Sequence, residues 1–137
     1  VRMGDPECQT ILPRLKTDII DIFYACSEGK LDTIDIEWHE ENSLCIVLCS
    51  KGYPDKYKNN FPILKLDKIK LKKNEFIFHA GTKKDNNKIY SNGGRVLNFV
   101  VNSNNFKISR NRAIQIIEEL DWPNGYFRRD IGYKVIK

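Results

Sequence analysis

The segment Ser43–Ser50, SLCIVLCS, most limits what this chain can fold into. It is short, apolar and rich in Ile, Val and Leu, and turn residues bound it at Asn42 and at Gly52-Tyr53-Pro54, so it reads as a central strand. Its core, Leu44–Cys49, is the longest apolar run in the chain. A membrane helix needs ~20 apolar residues, so a helical span is excluded. A length of 137 residues allows one compact core, or a piece of a larger protein, and excludes two independent large domains. With 41% apolar and 30% charged residues the chain lies well away from the disordered regime.

Cys45, Val47 and Cys49 alternate, so as a strand they share one face. The two cysteines then stand ~13 Å apart, beyond disulfide reach. Cys8, Cys26, Cys45 and Cys49 are irregularly spaced, and the closest pair lies inside an apolar run instead of flanking a turn, which argues against zinc. We expect four reduced, mostly buried thiols in a cytoplasmic protein.

Asp5-Pro6-Glu7 combines a capping acceptor, a proline suited to the first helical position and an acid that the helix dipole favours, predicting a helix from Pro6. Ile11, Leu12, Leu15, Ile19, Ile22, Phe23 and Cys26 recur at intervals of three and four, one stripe ending at a C-terminal cap, Gly29. Pro13 interrupts it, predicting a short helix to about Leu12 and a longer one from about Arg14 to Glu28. Downstream, Ile63–Leu66, Ile69–Leu71 and Phe76–His79 read as short strands. Asp85-Asn86-Asn87 turns into Lys88–Tyr90, and Ser91-Asn92-Gly93-Gly94 turns into Arg95–Val101. Ser109 can cap a last helix whose stripe is Ala113, Ile116, Ile117 and Leu120, stopped by Trp122-Pro123-Asn124-Gly125. Tyr126–Ile136 alternates enough to close as a strand. Strands clustered between helices make the class α+β, a small mixed sheet packed with helices.

The net charge of +5, from 23 basic and 18 acidic residues, favours anionic partners. Lys65–Lys73 would, as a strand, put its lysines on one face. No aromatic platform interleaves them, so a solvated face is favoured over nucleic-acid contact, and a nucleic-acid-binding or purely structural module is the competing reading. His39 and His79 lack partners at metal or triad spacing. Two glycine-bearing basic loops are more informative: Arg2-Met3-Gly4-Asp5-Pro6 ahead of a helix, and Gly93-Gly94-Arg95 ahead of a strand. Glycine lets backbone N–H groups approach an anion, and arginine adds a fork suited to carboxylate or phosphate. A type I′ hairpin turn with a solvated arginine is the plain alternative for the second loop.

Arg2-Met3-Gly4-Asp5-Pro6-Glu7-Cys8-Gln9, followed by Leu12-Pro13-Arg14-Leu15-Lys16-Thr17-Asp18, resembles the signature segment of the phosphoribosylamine–glycine ligase family. Gly52-Tyr53-Pro54, Phe78-His79-Ala80-Gly81-Thr82, Gly93-Gly94-Arg95-Val96-Leu97 and Arg128-Arg129-Asp130-Ile131-Gly132-Tyr133 resemble the family's later landmarks in order, so the resemblance covers essentially the whole chain. Met3 stands where the family usually has Phe, and Cys8 where it has a hydroxyl residue.

The resemblance implies an ATP-grasp ligase of purine biosynthesis. ATP phosphorylates the carboxylate of glycine, and the amine of 5-phosphoribosylamine attacks the acyl phosphate to give glycinamide ribonucleotide, ADP and phosphate. The family's metal-binding Glu and Asn would fall just before Val1, so ATP and Mg2+ or Mn2+ are expected only in the complete enzyme, and this chain alone is expected to be inactive. The expected partners are glycine, 5-phosphoribosylamine and the preceding part of the same enzyme, with no nucleic acid and no membrane. Residues 1–29 are expected to be the end of the ATP-grasp domain, and 30–137 the C-terminal domain. Arg2 is the expected catalytic residue. Gly4, Asp5, Gly93, Gly94 and Arg95 are expected to bind substrate, the last three at the ribose phosphate, with Lys83 and Lys84 as weaker candidates.

Overall fold

A computed structural model describes residues 2–136. Its centre is a four-stranded sheet, antiparallel at every pairing where a mixed sheet was expected, of order β2-β5-β1-β6, with β1 at Asn42–Ser50, β2 at Glu75–His79, β5 at Arg95–Ser103 and β6 at Gly125–Tyr126. A separate hairpin joins β3, Thr82–Asp85, to β4, Lys88–Ser91. The period-two alternation of β1 sorts its side chains. Leu44, Ile46 and Leu48 stand opposite Val101, Phe99 and Leu97 of β5, and all six are buried against α3, Phe106–Leu120, through Ala113, Ile116, Ile117 and Leu120. Cys45, Val47 and Cys49 share the opposite face, as the alternation requires, with Asn98 and Val100 of β5 across from them. A register shift between Leu48 and Cys49 lets β5 pass from Leu97 to Arg95 opposite consecutive β1 residues.

An arm precedes this sheet. It holds α1, Glu7–Ile11, a 3-10 turn at Leu12–Arg14, and α2, Ile19–Ser27. Pro13 divides the arm more widely than its neighbours predict. Leu15 is extended and bridges Trp38, and the Lys16 N–H donates to Glu37, so the second helix waits for Asp18, whose carboxylate accepts from the Ile20 N–H at 2.8 Å. Gly29, at φ +68, follows its end as a left-handed cap. The expected stripe is only partly covered among the described residues: Leu12, Leu15, Ile19 and Ile22 are half-buried, Ala25 alone of α2 is buried, and Phe23 is 54% exposed.

Four other expectations change. Ile63–Leu66 and Ile69–Leu71 are not strands; a single bridge joins Pro62 to Tyr90, and Leu66–Lys68 is a 3-10 turn. The lysines of 65–73 therefore form no strand face. Asn105, not Ser109, caps α3, because its side chain accepts from the N–H groups of Lys107 and Ile108; Ser109 lies one turn in, buried, with its Oγ 2.8 Å from Ser103 Oγ. The tail pairs only through Gly125–Tyr126, since Gly132, at φ +79, turns it over Leu44. Of the four free thiols only Cys45 is buried, and burial, with Asp5 nearby, pushes it up to about 12. Cys8 and Cys49 are half-buried and Cys26 is exposed. No helix among the described residues is long and apolar enough to cross a membrane.

Candidate functional site

The two glycine-bearing loops, ninety positions apart, meet in space. Arg95 leaves the first position of β5 and reaches the arm, where its Nη1 donates to the Asp5 carbonyl oxygen at 2.9 Å and its Nη2 lies 3.2 Å from Asp5 Oδ2. Asp5 Oδ1 accepts from Gln9 Nε2 at 2.8 Å. One carboxylate is thus held on both oxygens, and its own backbone carbonyl is held too. The pair is about 40% exposed on each side, where such contacts are worth about 0–1 kcal/mol. It orients more than it stabilises.

The base of Arg95 is tightly built, and here the glycines act by size. A Cβ on Gly81 would come within 2.6 Å of the Arg95 carbonyl oxygen and 2.7 Å of Gly93 Cα, and one on Gly94 would collide with the Tyr53 ring. The Gly81 N–H donates to the Arg95 carbonyl, while the buried Ser50 holds both preceding carbonyls, its Oγ donating to Gly93 and its N–H to Gly94. Neither Gly93 nor Gly94 has positive φ, and the segment passes between two sheets, so the type I′ hairpin alternative does not apply. Gly4 is less constrained: a Cβ there would meet only the Glu7 carboxylate, the end of a flexible side chain that can move aside.

Arg2 is exposed and forms no ion pair among the described residues. Asp5, a natural partner for it, is engaged by Arg95. Gln9, Ser50, Tyr53 and Gly81 were missed as site residues, because packing and orienting roles carry no local signature. Lys83 and Lys84 lie on β3, exposed. His79 Nδ1 is 2.8 Å from Thr82 Oγ1, and the His39 backbone bonds to Arg14, both structural arrangements. Concavities of about 460 Å³, lined by Thr10, Arg14 and Trp38 among others, and of about 470 Å³ beside Glu75 and Arg112, include neither Asp5 nor Arg95. The junction itself is accessible to solvent, Arg95 and Asp5 each being about 40% exposed. Among the described residues no three His, Cys, Asp or Glu side chains are grouped to hold a metal ion.

A second ionic contact lies on the other side of the sheet. Arg112 of α3 grips Glu75 of β2 in a fork, Nε to Oε1 at 2.8 Å and Nη2 to Oε2 at 3.0 Å, and the Lys72 N–H adds a third donor. Burial opposes ionisation of Glu75, but the hydrogen bonds from Arg112 and Lys72 and the charges of both together hold its carboxyl below the ordinary range.

Residues 43–134 match the family model described as phosphoribosylglycinamide synthetase, C domain. The chain belongs to this family. It is 41% identical over 136 residues to phosphoribosylamine–glycine ligase of Agrobacterium fabrum, covering 99% of this chain and 32% of the relative. It is 42% identical over 131 residues to the ligase of Caldanaerobacter subterraneus, covering 96% and 31%. The crystal structure of phosphoribosylamine–glycine ligase from Thermotoga maritima superposes with a TM-score of 0.69 at 26% identity, over 95% of this chain and 31% of that one. The synthetase C-domain fold is α+β, as expected, and this chain spans about a third of the length of the curated relatives it matches.

Proposed function

We propose that this chain forms the C-terminal side of the substrate cleft in an ATP-dependent phosphoribosylamine–glycine ligase. The convergence of Arg2-Met3-Gly4-Asp5 with Gly93-Gly94-Arg95, two loops that share no sequence neighbourhood, carries the reading. In this reading Arg2 faces the glycine carboxylate and its acyl phosphate, where a guanidinium stabilises developing negative charge. Gly4, Asp5, Gly93, Gly94 and Arg95 make the edge beside 5-phosphoribosylamine. The exposed face of α2 packs on the remaining length of the enzyme, residues 1–29 closing its ATP-grasp domain and 30–137 forming the C-terminal domain. ATP and Mg2+ or Mn2+ are held by that remaining part, this chain alone is inactive, and the enzyme works in the cytoplasm.

The test is a ligase assay on the full-length enzyme carrying these residues. Arg2→Ala should reduce turnover by roughly tenfold or more with the fold intact. Unchanged turnover would remove Arg2 from the chemistry, and an inactive parent enzyme would remove the ligase reading.

A further inference from the structure

The Asp5–Arg95 contact joins parts that are held very differently. Arg95 starts from backbone packed against Gly81 and Gly93 and tied, through Gly93 and Gly94, to the buried Ser50. The Arg2–Pro6 turn is more exposed and its other contacts are local: Met3 is 50% exposed, and Cys8 donates from its N–H to the Gly4 carbonyl and from its Sγ to Met3 Sδ at 3.5 Å. Order therefore passes from the sheet to the turn. We propose that Arg95 is a positioning residue of the ligase, fixing the Gly4-Asp5 turn and hence the direction of Arg2, and that it does not itself bind the ribose phosphate.

The geometry supports this division of labour. Both terminal nitrogens of the guanidinium contact Asp5, one its carbonyl and one its carboxylate, which takes two of the five N–H donors and fixes the plane of the group. A planar fork can make both contacts at once; an ammonium, as a point charge, cannot keep the same two directions. Gln9 closes the remaining carboxylate oxygen, so rotating Asp5 away would break contacts on two elements. The pair is too exposed to matter greatly to global stability, so its loss should free the turn without unfolding the sheet.

The inference rests on the ligase reading, and the experiment separates the two. In the full-length enzyme, Arg95→Ala should lower kcat by ~10-fold while the KM for phosphoribosylamine stays within ~2-fold, because an interaction acting through Arg2 is felt in the transition state. Asp5→Asn should give a similar loss, and the double variant should be no worse than the poorer single one, as expected for residues acting as a unit. Arg95→Lys should fall between. Amide hydrogen exchange of the Gly4–Gln9 segment should quicken in Arg95→Ala, with β5 unchanged. A KM for phosphoribosylamine that rises ~10-fold at constant kcat would make Arg95 a phosphate ligand and overturn the proposal. So would losses that multiply in the double variant, or unaltered exchange. An inactive parent enzyme would sink the ligase reading and the catalytic consequence with it, while exchange would still decide whether Arg95 orders the turn.

Discussion

Two helices of this chain carry the same kind of apolar stripe and meet opposite fates. Along α3, Ala113, Ile116, Ile117 and Leu120 are each at most 4% exposed against the sheet. Along α2, Ile19 and Ile22 are half-buried, Phe23 is 54% exposed, and Ala25 alone is buried. Both are capped by an acidic or amide side chain, Asp18 in one and Asn105 in the other. A stripe states that a helix wants a partner surface. It does not state where that partner is encoded, and for α2 the described residues provide it only in part.

The contrast can be broken most sharply in the core beneath α3. Phe99→Ala removes a fully buried ring and should cost about 3–5 kcal/mol in a denaturant titration of this chain. A loss near zero would mean that the β5–α3 core is not what holds the chain together. Glu75→Gln should cost about 3 kcal/mol at neutral pH, because Arg112 would be left without its nearly buried carboxylate. The pH dependence has a defined sign. The Glu75 carboxyl is lowered from 4.5 in the folded chain, so its contribution is complete above ~4.5 and drains away as pH falls through the folded value. The wild-type and Glu75→Gln stabilities should therefore converge in acid, and a gap that widens there would refute the assignment.

The caps give a finer comparison. Asn105→Ala removes the acceptor for two N–H groups of a helix on which the core depends and should lower global stability by about 1 kcal/mol. Asp18→Ala should leave the global midpoint almost unchanged and register only as loss of helical signal from α2. The smallest effect belongs to Phe23→Ala, within ~0.5 kcal/mol in this chain, as for other exposed substitutions. If the same change proves costly in the full-length ligase, the α2 face has its partner there; if it is equally silent in both, the packing proposed for that face fails.

The candidate site follows a similar pattern. Arg2-Met3-Gly4-Asp5-Pro6 and Gly93-Gly94-Arg95 were each visible as loops able to meet an anion, because glycine and arginine have local properties that composition cannot hide. Their mutual contact was not visible. The reason for the double glycine was also different from the local one: the Tyr53 ring, Gly81 and Ser50 require small residues and directed carbonyls at these positions, and all three come from other parts of the chain.

Elements whose outcome depends on near neighbours were legible in the residues alone. The apolar run of β1, the turn at Asn86-Asn87, the stop at Trp122-Pro123-Asn124-Gly125 and the alternation that puts Cys45 and Cys49 on one face all follow from backbone sterics and side-chain period. Tertiary structure decided the rest. Ile63–Leu71 and the tail after Tyr126 are apolar enough for strands, but a strand exists only where an edge is open to pair with it, and these segments turn away after one bridge or one short pairing. Asn105 displaced Ser109 as the cap because Ser109 is claimed by Ser103 inside the fold. Arg95 found Asp5 because the sheet and the arm bring together residues ninety positions apart, and no local pattern encodes a contact whose two halves are set by different elements.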